Sequence, residues 1–168
     1  MSWTVKAYHG GGYQYRLCPA DSKLTEQCFQ QHPLDFVGES MLRWGGLEGK
    51  VQYFNGTYAT GSSVNPPGSM WAKNPLPGGP WGYAKHGATF QPICDEPKAC
   101  RDSIHKKPPQ MTCQCSGEGV GDLPTLEVVD HVMIPKGLSP GEWVLGWRWD
   151  CEESTQVWAS CSDVTIKA

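Results

Sequence analysis

The chain has 168 residues and a formal net charge of −3, from 14 Lys and Arg against 17 Asp and Glu. Twenty glycines and fourteen prolines make up about a fifth of it, above ordinary usage, and with the aromatic residues they interrupt every potential helical period, which argues against a helical bundle. No basic cluster is denser than His105-Lys106-Lys107, which sets nucleic acid aside as a partner, and the longest uncharged stretch, Gly56 to Ala72, is broken by Pro66 and Pro67 and cannot cross a bilayer as a helix.

Trp3, Val5 and Ala7 alternate with Thr4, Lys6 and Tyr8, the period of a half-buried strand. Gly10-Gly11-Gly12 interrupts it, and Tyr13 to Leu17 resumes an extended pattern. Residues 18–32 hold the best short helical turn, with Asp21 or Ser22 able to cap it and Glu26 placed for a first turn. Two strands, Ser40–Trp44 and Lys50–Phe54, flank Gly45-Gly46. Residues 55–124 form a Pro/Gly-rich middle, too long for an unsupported loop and so expected to be pinned by disulfides. Leu126 to Ile134 reads as one strand, with Asp130 and His131 as a surface pair. Trp143, Leu145, Trp147 and Trp149 alternate with Val144, Gly146 and Arg148 in a strand over Glu142–Asp150, which puts the three indoles on one face as core. A last strand runs over Gln156–Lys167. Short strands with regular turn signals predict one domain over 1–168, an antiparallel β-sandwich of the immunoglobulin/fibronectin-III kind with long disulfide-pinned loops.

Eight cysteines, Cys18, Cys28, Cys94, Cys100, Cys113, Cys115, Cys151 and Cys161, are an even number on an acidic chain and read as a disulfide framework of a secreted protein. Their spacings lack the C-x2-C knuckles of structural zinc. The pairing stays open, except that Cys113 and Cys115, on one face if extended, are expected to bond different partners. Asn55-Gly56-Thr57 is a glycosylation acceptor triplet. Met1 to Val5 has neither the basic start nor the apolar run of a signal peptide, so for a secreted chain either the signal has been removed and Met1 added in its place, or the native beginning lies upstream of Met1.

Three segments, His9 to Pro19, Ile134 to Leu145 and Gln156 to Cys161, together resemble lytic polysaccharide monooxygenases and chitin-binding type-4 proteins. The match covers the two ends of the chain and little of the middle. The resemblance implies a β-sandwich that lies against insoluble polysaccharide such as chitin or cellulose. It also implies copper held by a three-nitrogen brace: the amino group and imidazole of an N-terminal histidine plus a second imidazole. Carried over by position, His9 matches the second metal ligand, Gln156 the amide that orients oxygen, and Trp158 the axial aromatic. The chain departs from the pattern at its first residue, Met1 instead of His, and at position 158, where Trp brings no phenol oxygen.

Each residue also has a plainer reading. His9 beside a glycine turn is, by chemistry alone, a strand-end imidazole. Trp71, Trp81 and Tyr83, in Pro/Gly segments, either pack under their own loops or stack on sugar rings as glycan contacts. Asp150, Glu152 and Glu153 crowd one turn and lack the separation across a cleft that a glycosidase pair needs, and no nucleophile elbow is present. Two functions follow: copper-dependent oxidative cleavage of a glycan, or a non-catalytic glycan-binding or structural extracellular protein, a fibre subunit included.

Overall fold

The computed structural model describes residues 1–4, 9–44, 50–75, 126–152 and 154–167. Trp81, Tyr83, Cys94, Cys100, Cys113 and Cys115 lie outside these. Two antiparallel sheets stack face to face over a core of aromatic and aliphatic side chains. One sheet has the order β1-β8-β4-β5, formed by Ser2–Trp3 (β1), Leu126–Val129 (β8), Ser40–Trp44 (β4) and Lys50–Phe54 (β5). The other has the order β11-β10-β2-β7-β6, formed by Val157–Ile166 (β11), Gly141–Asp150 (β10), Gly12–Pro19 (β2), Trp71–Lys73 (β7) and Tyr58–Ala59 (β6). A small pair, Asp35–Phe36 (β3) with Val132–Met133 (β9), sits apart.

Period-two alternation decides which face each residue takes. Tyr13, Tyr15 and Leu17 of β2 point into the sandwich beside Trp143, Leu145, Trp147 and Trp149 of β10, and opposite them lie Trp3, Leu42, Phe54 and Val128 of the first sheet. The three β10 indoles do share the inner face. Trp3 packs on Tyr13 at 4.7 Å and on Trp147 at 5.3 Å between ring centroids, which fastens the two sheets together.

β2 is also buried on its outer face, because helix α1 (Glu26–Phe29) lies across it. Phe29 packs with Cys18 and Val144, over Gly146, where a Cβ would come within 2.9 Å of its ring. The Cys18–Cys28 disulfide joins strand to helix with Cα atoms 5.5 Å apart. Glu26 binds the guanidinium groups of Arg16 and, at 2.7 Å, Arg148, and Arg148 in turn grips Asp150 through two bonds of 2.6 and 3.0 Å. Desolvation works against the Glu26 carboxylate, but the two guanidiniums win and hold its pKa below the ordinary value.

Several expectations shift. The helix cap is Thr25, whose hydroxyl accepts from the Cys28 N–H, rather than Asp21 or Ser22, which lie four and three residues earlier. The strand expected over Leu126–Ile134 breaks at Asp130-His131, where the chain leaves the first sheet for the small pair. Of the first strand only Ser2–Trp3 falls on described residues as strand.

Cys151 and Cys161 make no disulfide with a described residue. They cannot bond each other: Cys161 stands opposite Gly146, five residues from Cys151 along β10, about 17 Å at strand rise, against the roughly 7 Å limit for a disulfide.

Candidate functional site

The His9-Gly10-Gly11 segment meets the β10–β11 turn at one end of the second sheet. Trp149 organises the junction: its indole N–H donates to the Gly10 carbonyl at 2.7 Å, and the His9 ring stacks on it at 6.1 Å. The Glu152 N–H donates to the His9 carbonyl and the Cys151 N–H to the Gln156 carbonyl, each at 3.0 Å. Glycine is required at position 11. Its φ is +76°, and a Cβ there would lie 1.9 Å from the Asp150 carbonyl oxygen.

His9 and Gln156 therefore stand at the same end of the molecule, two backbone hydrogen bonds apart through the turn. Trp158 is close behind. The register runs Tyr13, Trp149, Trp158 across three strands, so all three side chains leave the same face of the sheet. The first two are buried. Trp158, on the edge strand, is 53% exposed. Beside it the Cys151 thiol is pushed up in pKa by burial and by the Asp150 charge, against hydrogen bonds from Ser154 and Trp158.

Trp71 is not part of this cluster. It lies in β7 rather than in a loop, is half-buried, and points to the face opposite its buried neighbour Ala72, with its indole N–H bonded to the Asn65 carbonyl at 3.0 Å. β10 and β2 separate β7 from β11, so Trp71 and Trp158 occupy different faces and cannot share one ligand surface. Asn55 is exposed between β5 and β6, accessible for glycosylation.

The donor set of a copper brace is not assembled among the described residues. No three His, Cys, Asp or Glu side chains converge there to hold a metal. The Met1 amino group donates to the Asp130 carbonyl at 2.7 Å, His32 packs on Trp143 and His131 meets the Glu39 carbonyl. At this end the imidazole of His9 and the amide of Gln156 fall short of three nitrogens, so no step through copper is derived.

The residue missed by sequence reading is Asp130. Expected at the surface, it is 1% exposed and accepts four side-chain hydrogen bonds: from Ser40 (2.7 Å) and Tyr13 (3.1 Å) on Oδ1, and from Tyr15 (3.0 Å) and Trp3 (3.3 Å) on Oδ2. The donors come from both sheets. Burial raises its pKa, and the four donors only partly offset this. Tyr13 and Tyr15 are driven far up, by burial first and by the neighbouring carboxylate second. The arrangement is a closed polar clamp between the sheets, with each donor supplied by this chain. No protein family, curated protein or solved structure matches the chain.

Proposed function

We propose that this protein is an extracellular polysaccharide-binding β-sandwich, similar to the chitin-binding type-4 group, that engages neutral glycan. The observation that carries the reading is Trp158. A large indole left half in solvent on a ten-residue strand, paired in register with Trp149 of the neighbouring strand, offers an apolar plate at the edge of the sheet. A pyranose presents polarised C–H bonds on one face, which favour the negative face of an aromatic ring. Gln156, exposed two residues away, supplies amide donors and acceptors for ring hydroxyls. The Cys18–Cys28 disulfide supports an oxidising compartment.

The test is retention on insoluble chitin and cellulose. The folded chain should be depleted from solution by at least one of them, and Trp158→Ala should lower retention at least fivefold. Removing an exposed ring leaves the core intact, so the melting temperature should move by less than about 2 °C. Equal retention of both proteins would overturn the role of Trp158, and no retention of the parent would overturn the function.

A further inference from the structure

The two sheets of the sandwich are unequal where they should close. On one side the second sheet ends in β11, ten residues long, while the first sheet ends in β1, only two residues long. The inner face of β11 is therefore left without a covering layer among the described residues. By register that face carries Trp158, Ser160, Ser162, Val164 and Ile166, in line with Trp149, Trp147, Leu145, Trp143 and Gly141 of β10. A cavity of about 370 Å³ opens there, within the size range of small-ligand sites. Leu145 and Trp147 form its floor, Trp3 and Tyr15 one wall, and Ser160 and Ser162 the other.

The chemistry of this lining is selective. An inner strand face in a closed sandwich is apolar, yet here two of the five inward positions are serines. No side chain lining the cavity is charged. The two serine hydroxyls stand over aromatic and aliphatic surface, while the Trp147 indole N–H is buried and meets no acceptor among the described residues. Neutral hydrogen-bonding groups above an apolar floor complement a neutral polyhydroxylated ring. They complement a purely apolar chain poorly.

We infer that this groove is a second glycan subsite, taking one or more neutral pyranose units of a chain whose neighbouring unit stacks on Trp158. The row from Trp158 through Ser160 to Ser162 makes the two contacts continuous along one strand, with side chains repeating about every 6.6 Å. This inference rests on the glycan-binding reading and adds a location to it.

The experiment is a titration of the 15N-labelled chain with chitohexaose and with cellohexaose, followed by amide chemical shifts. Binding through the groove should shift Thr4, Ser160 and Ser162 along with Trp158. Ser160→Trp, which fills the cavity, should weaken binding at least tenfold. The gentler Ser160→Ala/Ser162→Ala double variant should weaken it about tenfold through two lost hydrogen bonds. Tyr53→Ser, at an exposed position on the far edge of the first sheet, should leave it unchanged. If the parent binds a hexaose with shifts at Trp158 but none at Ser160 or Ser162, and the double variant binds equally well, the groove is refuted and the function stands. If neither hexaose shifts any amide and neither insoluble polysaccharide retains the chain, the function and the groove fall together.

Discussion

Replacing Asp130 by Asn tests the clamp between the sheets. The substitution keeps shape and swaps one acceptor oxygen for an NH2 that faces donors. Two of the four hydrogen bonds lose their acceptor: the Ser40 and Tyr13 pair if the amide replaces Oδ1, or the Tyr15 and Trp3 pair if it replaces Oδ2. Hydroxyls can rotate and accept instead, whereas the indole cannot, so the amide should settle on the Oδ1 side. The expected cost is about 2 kcal/mol in acid, one to two imperfectly satisfied buried groups. The pH dependence gives the sharper check. Burial raises the folded-state pKa of Asp130 above its ordinary value. The native state therefore binds this proton more tightly than the unfolded chain does. The stability it contributes is fully present below the unfolded pKa and is lost as pH rises through the folded one, at about 1.4 kcal/mol for each unit between them. Denaturant unfolding of parent and Asp130→Asn from pH 4 to pH 8 should show the advantage of the parent shrinking as pH increases. An advantage that grows with pH would mean that the four donors stabilise the anion more than burial penalises it, and would refute the reasoning.

Two further perturbations probe the backbone and the helix. Gly11→Ala should cost about 3 kcal/mol, from the left-handed φ and a Cβ forced against the Asp150 carbonyl, or roughly 10 °C in melting temperature. Gly38→Ala shares the positive φ but has open space around it, so it should cost only about 1 kcal/mol; equal losses would show that the contact at Asp150 is not real. Replacing Cys18 and Cys28 together by Ser should lower stability by about 3 kcal/mol through the reopened ten-residue loop. Peptide mapping of the oxidised chain should recover the 18–28 pair and no peptide joining Cys151 to Cys161, and such a peptide would disprove the β10–β11 register.

Much of the sandwich was legible because period two is a strong signal wherever one face is buried. Ser40–Trp44 and Lys50–Phe54 are strands at the residues their patterning indicates, and the tryptophans of β10 face inward as their alternation requires. Asp130 was legible too, and was passed over. Val128 is buried, and in the strand expected over Leu126–Ile134 the residue two further along takes the same face, so periodicity alone points Asp130 inward. The ordinary surface habit of aspartate overrode that signal, and the hydroxyls and indole that make its burial tolerable come from positions 90 to 127 residues closer to the amino terminus. Such partners are set by topology, which a local pattern does not carry. Helix α1 shows the converse limit: several capping residues precede it, and packing of Phe29 over Gly146 selects where it begins.

The end of the second sheet and the groove beside it share one structural cause. Trp149 spends its N–H on Gly10 and its ring on His9, which fixes the glycine segment against the turn. That fixes the end of β10 and, through ten register pairs, the whole of β11, although β11 has no strand on its other side among the described residues. An edge strand with this much exposed surface is ordinarily an aggregation hazard. On β11 the hazard is moderated by chemistry: serines alternate with Cys161, Asp163 and Thr165, and the one large exposed ring in the strand stands where it continues the inward row. On the glycan-binding proposal, this long and wettable strand would meet a hydroxyl-rich partner, and the placement of Trp158 and the two serines in a single row would give that surface its direction.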